Sequence, residues 1–350
     1  MSETAQPPTR ASALSALSWR SLQQGDWPLR ILSAVVALAL PTLLIVLTGQ
    51  DPLAVLREFV TGITPSRFGD ATMFASVLIL CTASAMLTFN ASLWNIGIEG
   101  QLAMGTIGAT AALLTLRDAP TPVLLTMMMV AGAVAGAAWS FLVALFKLRG
   151  VHEIFSGFAL NQVAGALVKF MLLNVWYEAS QRRMSGIPFP NNAAFPALGP
   201  INLWVIGIAL VVLFGVVFAL ARTSIGLRIR AVGLSRVAAS YYGISATRVF
   251  FLTLLASGAI AGLGGVITAS TYFHRFAPDI TLNFGFTAIL IYLIARMNAL
   301  GVILLTLLFG LINAGAVGLQ IRLRIDPTLA GVIQSSIILA LYVLRRREGR

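Results

Sequence analysis

"TSIGLRIRAVGLSRVAASYYGIS", residues 223–245, lies between two long apolar runs and carries Arg228, Arg230 and Arg236, three glycines and no acid. The runs on either side decide what it can be. They belong to a chain of 350 residues that is 58% hydrophobic and only 10% charged. A soluble domain averages roughly 25% charged residues. The mean hydropathy of +0.89 points the same way, and no polar stretch is large enough to form a separate soluble domain. The expected fold is all-α: one polytopic membrane helix bundle, in which residues 223–245 form a polar connection.

A spanning helix needs about 20 mostly apolar residues. Working outward from the quoted segment, such runs occur at 30–49, 72–89, 99–116, 122–146, 153–174, 202–220, 248–269, 282–295, 300–319 and 328–344. The eighth is short. Ten spans place both termini on one side. With the N-terminus inside, fifteen cations fall in cytoplasmic segments and eight in external ones, Lys169 lying within a helix. Basic residues concentrate on the cytoplasmic side of membrane proteins, so both termini and residues 223–245 are expected there. The expected organisation is a cytoplasmic tail at 1–29, a transmembrane domain at 30–344 and a basic tail at 345–350. The N-terminal tail lacks a signal-peptide core and cleavage site, so the first apolar run is expected to remain as an anchor.

The formal charge of +12 would suggest nucleic acid in a soluble protein. Here topology accounts for it, and no nucleic-acid partner is expected. One cysteine, Cys81, forms neither a disulfide framework nor a cysteine metal cluster within one chain. There is no GxxxxGK[ST] loop to cradle ATP. "HEIFS", residues 152–156, has Ser156 where a zinc protease has its second histidine. No metal, no cofactor and no enzymatic activity of its own are expected.

Two stretches carry polar groups between or within the spans. In "FNASLWNIGIEGQLAMG", residues 89–105, Asn95, Glu99 and Gln101 cluster near helix-weakening glycines. One reading is a short cytoplasmic turn with Glu99 at a helix start, where the dipole favours an anion. The other is a broken helix lining a transport path, since freed backbone is tolerated at membrane depth only beside protein or water. In "GVHEIFSGFALNQ", residues 150–162, Glu153 opens the fifth span and Asn161 lies about two turns deeper. A buried Asn161 needs a partner, either another helix or a solute. In the quoted segment Ser235 is placed to cap a short helix through Tyr241, with Gly243 ending it. Ala238 and Ala239 make one face of that helix small enough for close docking. A loop without a docking role needs neither, so a cytoplasmic partner is expected.

"NIGIEGQLAMG", "GVHEIFSGFALN", and "TSIGLRIRAVGLSRVAASYYGI" followed by "SGAIAGLGG" together resemble, in order, the permease subunits of ABC importers in the ribose/branched-chain amino acid permease superfamily. The resemblance covers about residues 30–344 and is nearest to the branch serving basic-membrane-protein-type lipoproteins, which handles nucleosides and related purines. It implies a bacterial inner-membrane permease that imports a nucleoside or purine. A simple-sugar permease is the alternative, with an ion-coupled secondary transporter behind it. It also implies a cytoplasmic ABC ATPase that binds the ATP, a second permease subunit and an external substrate-binding lipoprotein. Residues 223–245, with Arg228, Arg230, Gly233, Ser235, Ala238, Ala239 and Gly243, resemble the segment that docks on the ATPase. The span starting near Arg248 would then carry its displacement. The substrate path is expected near Asn95, Glu99, Gln101, Glu153 and Asn161.

Overall fold

The computed structural model describes residues 35, 39, 41–47, 49–61, 68–176, 186–197, 199, 201–322, 332, 335 and 336. The chain divides into two compact units, Gly62–Gly315 and Met1–Thr61 with Ala316–Arg350. In the latter the described helix α1 (Pro52–Thr61) is opened by Asp51, whose carboxylate accepts from Leu53 N at 3.0 Å. The predicted tails, half of the predicted span 30–49 and all of the predicted span 328–344 but residues 332, 335 and 336 lie outside the described residues.

The larger unit is built from α2 (Phe68–Asn90), α3 (Ile98–Thr115), α4 (Thr121–Leu148), α5 (Glu153–Phe170), α6 (Leu203–Arg222), α7 (Ser224–Leu234), α8 (Arg236–Tyr241), α9 (Ala246–Ile267), α10 (Phe284–Ala295) and the first part of α11 (Ala299–Arg322). π-helical turns extend α5 through Val175 and α9 through Phe273. Among the described residues there is no β-strand, only one isolated bridge between Pro188 and Arg275. The expected all-α helix bundle is therefore present.

Six described helices are long and apolar enough to cross a membrane: Phe68–Asn90, Thr121–Leu148, Glu153–Val175, Leu203–Arg222, Ala246–Phe273 and Ala299–Val317. α3 matches the predicted 99–116 run, but its first turn is polar. α10 matches 282–295 and has 12 residues, about 18 Å of helix, which is short of a hydrocarbon core about 30 Å thick.

Burial separates centre from periphery. The most apolar window of α2 is 89% buried, whereas that of α6 is 28% buried. α2 is apolar all round, and Phe74, Leu78, Leu80 and Met86 have no exposed surface. α6 leaves Val211 and Phe218 open, and α4 leaves Val134 open. Such sides suit lipid, because a soluble protein rarely exposes large apolar patches.

α3, α4 and α9 meet along a glycine seam. A Cβ at Gly105 would overlap the Gly262 carbonyl, one at Gly136 the Gly258 carbonyl, and one at Gly262 the Gly132 carbonyl. In lipid, helices gain little hydrophobic drive from associating, so close backbone approach supplies the packing energy. This seam aligns the polar residues described next.

Candidate functional site

α2 ends at Asn90 and α3 starts at Ile98. The seven residues between them are not helical, yet Asn95 has no exposed surface. Its partners give the depth of this break. Asn95 Nδ2 donates to Ser257 Oγ at 3.0 Å, Gln101 Nε2 donates to Ser140 Oγ at 3.3 Å, and Asn161 Oδ1 accepts from Gly100 N at 2.8 Å. Ser140 is eight residues before the end of α4, Asn161 eight after the start of α5, and Ser257 eleven after the start of α9. At 1.5 Å per residue these positions lie about 12, 12 and 16 Å from the helix ends. Those ends share one side, since Lys147, Leu148, His152, Glu153, Thr247 and Phe250 line one cavity of about 490 Å³. The three spans are 28, 23 and 28 residues long, about 34–42 Å, so the break lies about a third of the way along them, inside the bundle.

A helix that starts in the middle of a bundle has orphan N–H groups with no water to satisfy them. The polar residues here do that work. Asn95 Oδ1 accepts from Gly97 N at 3.1 Å, and Asn161 Oδ1 accepts from Gly100 N. Asn161 Nδ2 returns a bond to Ile96 O at 2.9 Å. Asn95 and Gln101 also pair reciprocally through their amides, both bonds at 3.2 Å. Ser257 hydrogen-bonds Ser84 at 2.7 Å, and Ser140 donates to Leu254 O at 2.6 Å. The result is a buried polar knot joining α2, α3, α4, α5 and α9. Gly100 and Gly157 give it room, because a Cβ on the first would press on Asn161 and Trp139 and one on the second on Gly97.

The five predicted path residues do not share one place. Asn95, Gln101 and Asn161 come together in the knot. Glu99 turns to α10, where its Oε2 accepts from Gly285 N at 2.7 Å in that helix's first turn. Glu153 sits at the start of α5, 2% exposed. Its carboxylate takes the Lys147 ammonium on Oε2 and the Trp94 N–H on Oε1 at 3.3 Å. His152, next to it, caps α5 by accepting from Ile154 N at 3.4 Å.

The cationic segment is two helices. Ser235 caps α8 by accepting from Ala238 N at 3.2 Å, and Gly243 follows at φ +74°, where a side chain would be strained. The helix before it, α7, was not anticipated. Its signals were present: Thr223 as an N-cap, accepting from Gly226 N at 3.2 Å, and Gly226, Ile229 and Val232 spaced as one buried stripe. Arg228, Arg230 and Arg236 are exposed. Ala238 is exposed, but Ala239 is only 3% exposed. This corrects its expected place in a docking face: Ala239 seats α8 on the chain itself. The outward face carries Leu234, Val237, Tyr241 and Tyr242, the last 85% exposed. Gly233 lies against the end of α2, where a Cβ would overlap the Asn90 carbonyl.

Lipid-suited helices around a buried core, with a helix broken inside the bundle, define a multi-pass α-helical membrane protein. Residues 68–342 match the family model of the branched-chain amino acid transport system / permease component, and the chain belongs to that family. It is thus a transport component, as the three motifs implied. Among curated relatives it is similar to the nucleoside ABC transporter permease protein NupB of Lactococcus lactis, 26% identical over 89% of this chain and 90% of the relative. It is 29% identical to the glucose ABC transporter permease protein TsgB13 of Haloferax volcanii, over 89% and 86% of the two chains. It is 26% identical to the guanosine ABC transporter permease protein NupP of Bacillus subtilis, over 91% and 95%.

Proposed function

We propose that this chain is the membrane-spanning permease of an importer that moves a nucleoside or purine-type solute across a bacterial inner membrane. The observation that carries the reading is the buried amide knot inside the bundle, in a chain similar along most of its length to nucleoside and guanosine permeases. Amides both donate and accept, which suits ribose hydroxyls and nucleobase edges. In the knot those groups bond to the protein. A passing solute would take over the partners of Asn95, Gln101 and Asn161 as the helices separate. No cation belongs to the knot, which argues for a solute without phosphate.

The driving force in this reading is ATP bound and hydrolysed by a separate cytoplasmic ABC ATPase, docked on residues 223–245. The outward apolar face of α8, with Arg228 and Arg230 beside it, forms the contact. A second permease subunit and an external binding lipoprotein complete the complex. Ten spans with both termini cytoplasmic fit the cation distribution. The glucose permease among the relatives favours the sugar reading as second choice. The ion-coupled reading is weaker, because Glu99 bonds to a helix start and Glu153 is paired with Lys147.

Uptake of labelled nucleoside and labelled ribose into vesicles reconstituted with all subunits tests the assignment. Nucleoside uptake that unlabelled ribose does not suppress is expected. Ribose or glucose uptake that nucleosides cannot compete would replace it with the sugar reading.

A further inference from the structure

The knot and the cationic segment are joined by two short links. In the first, Ser92 Oγ donates to Gly233 O at 2.7 Å, across 141 residues of sequence. Ser92 stands at φ 54°, in the left-handed region that non-glycine residues seldom occupy. The link is also sterically tight, since Gly233 lies against Asn90. In the second, the Glu153 carboxylate holds Trp94 N on one oxygen and Lys147 on the other. Lys147 Nζ lies 5.2 Å from the centroid of the Phe250 ring, and Arg236 Cζ lies 4.7 Å from the same centroid. Arg236 is the first residue of α8. Contacts therefore run from α8 through Phe250, Lys147 and Glu153 to Trp94, and the residue after Trp94 is Asn95.

We propose that Ser92 and Glu153 are positioning residues that make the 91–97 break, and with it the Asn95–Gln101 pair, follow the displacement of residues 223–245. This rests on the importer reading above. It adds a second route to the expectation that the helix beginning near Arg248 carries the motion. Residues 91–97 have no helical ladder of their own, so they yield more readily than the helices around them. A hydrogen bond of 2.7 Å stretched by about 1 Å is lost, so the break must follow the segment or release it. If it follows, the Asn95 amide shifts relative to Ser257 on α9, and the knot loosens. The segment that meets the ATPase thus acts on the interior of the bundle through two contacts.

The test uses the full complex of permease, ATPase and binding protein in vesicles, and reads solute imported per ATP hydrolysed. Ser92→Ala removes the donor to Gly233. Glu153→Gln keeps an acceptor for Trp94 N and removes the charge that holds Lys147. Both are close in shape to the native residues, and thermal unfolding in detergent checks that each folds. The expected result is complexes that assemble and hydrolyse ATP at the wild-type basal rate, while solute per ATP falls about fivefold or more in the double variant. A double variant with the wild-type ratio would overturn the proposal. So would loss of ATPase binding in either single variant, because the residues would then act on docking. Absence of ATP-driven uptake by the wild-type complex would overturn the importer reading itself, and the proposal with it.

Discussion

At the scale of the residue, Asn161 shows why a carboxamide is stable inside a membrane bundle. Its oxygen takes an orphan N–H from the first turn of α3, and its nitrogen serves a carbonyl of the break. Burying a polar group without a partner costs about 1–3 kcal/mol. Asn161→Leu leaves the Gly100 N–H and the Ile96 carbonyl unpaired at once. The variant is expected to unfold at a lower temperature in detergent and to transport more slowly. The affinity of the binding protein for the solute should not change. Calorimetry and vesicle uptake read the two effects. Wild-type stability together with wild-type turnover would mean that water or a neighbouring side chain satisfies both groups. The sequence placed Asn161 two turns deep and required a partner for it. It did not say which, because the partners lie 61 and 65 residues away and are backbone groups, which leave no mark in the residue code.

At the scale of the element, α7 and α8 separate what seats the cationic segment from what it offers to a partner. Ala239 faces inward and Val237, 66% exposed, faces outward. Ala239→Asp would bury a carboxylate against the chain's own helices, at a cost of several kcal/mol unless it is neutralised. That variant is expected to lose folded yield in the membrane. Val237→Asp is expected to fold normally and to lose most of its association with the ATPase, measured by co-purification. Equal co-purification of Val237→Asp and wild type would remove α8 from the interface. Ser235 as a cap and Gly243 as a stop were legible because each acts on its own neighbours. α7 was not anticipated because its two arginines, Arg228 and Arg230, outweigh its short buried stripe of Gly226, Ile229 and Val232. Which way Ala238 and Ala239 faced could not be read, as six residues of helix show no clear periodicity.

At the scale of the whole molecule, the fold was legible from hydropathy, because a spanning helix needs a long apolar run whatever its neighbours are. The breaks were legible only as weaknesses. Asn95, Gly97 and Gly100 marked the point where a helix could fail. That the break lies inside the bundle depends on Ser140, Asn161 and Ser257, which three other helices bring to the same level. The central claim is that this knot is the barrier the solute crosses and that it opens during turnover. Ser257 offers the most direct measurement. It is fully buried, hydrogen-bonded to Asn95 and Ser84, and cysteine differs from serine there by one atom. In a Cys81→Ser background, a Ser257→Cys complex would be treated with a small membrane-impermeant thiol reagent, at rest and during ATP-driven uptake. The account predicts a thiol that does not react at rest and reacts during turnover. Equal reaction rates in the two states, fast or slow, would contradict it.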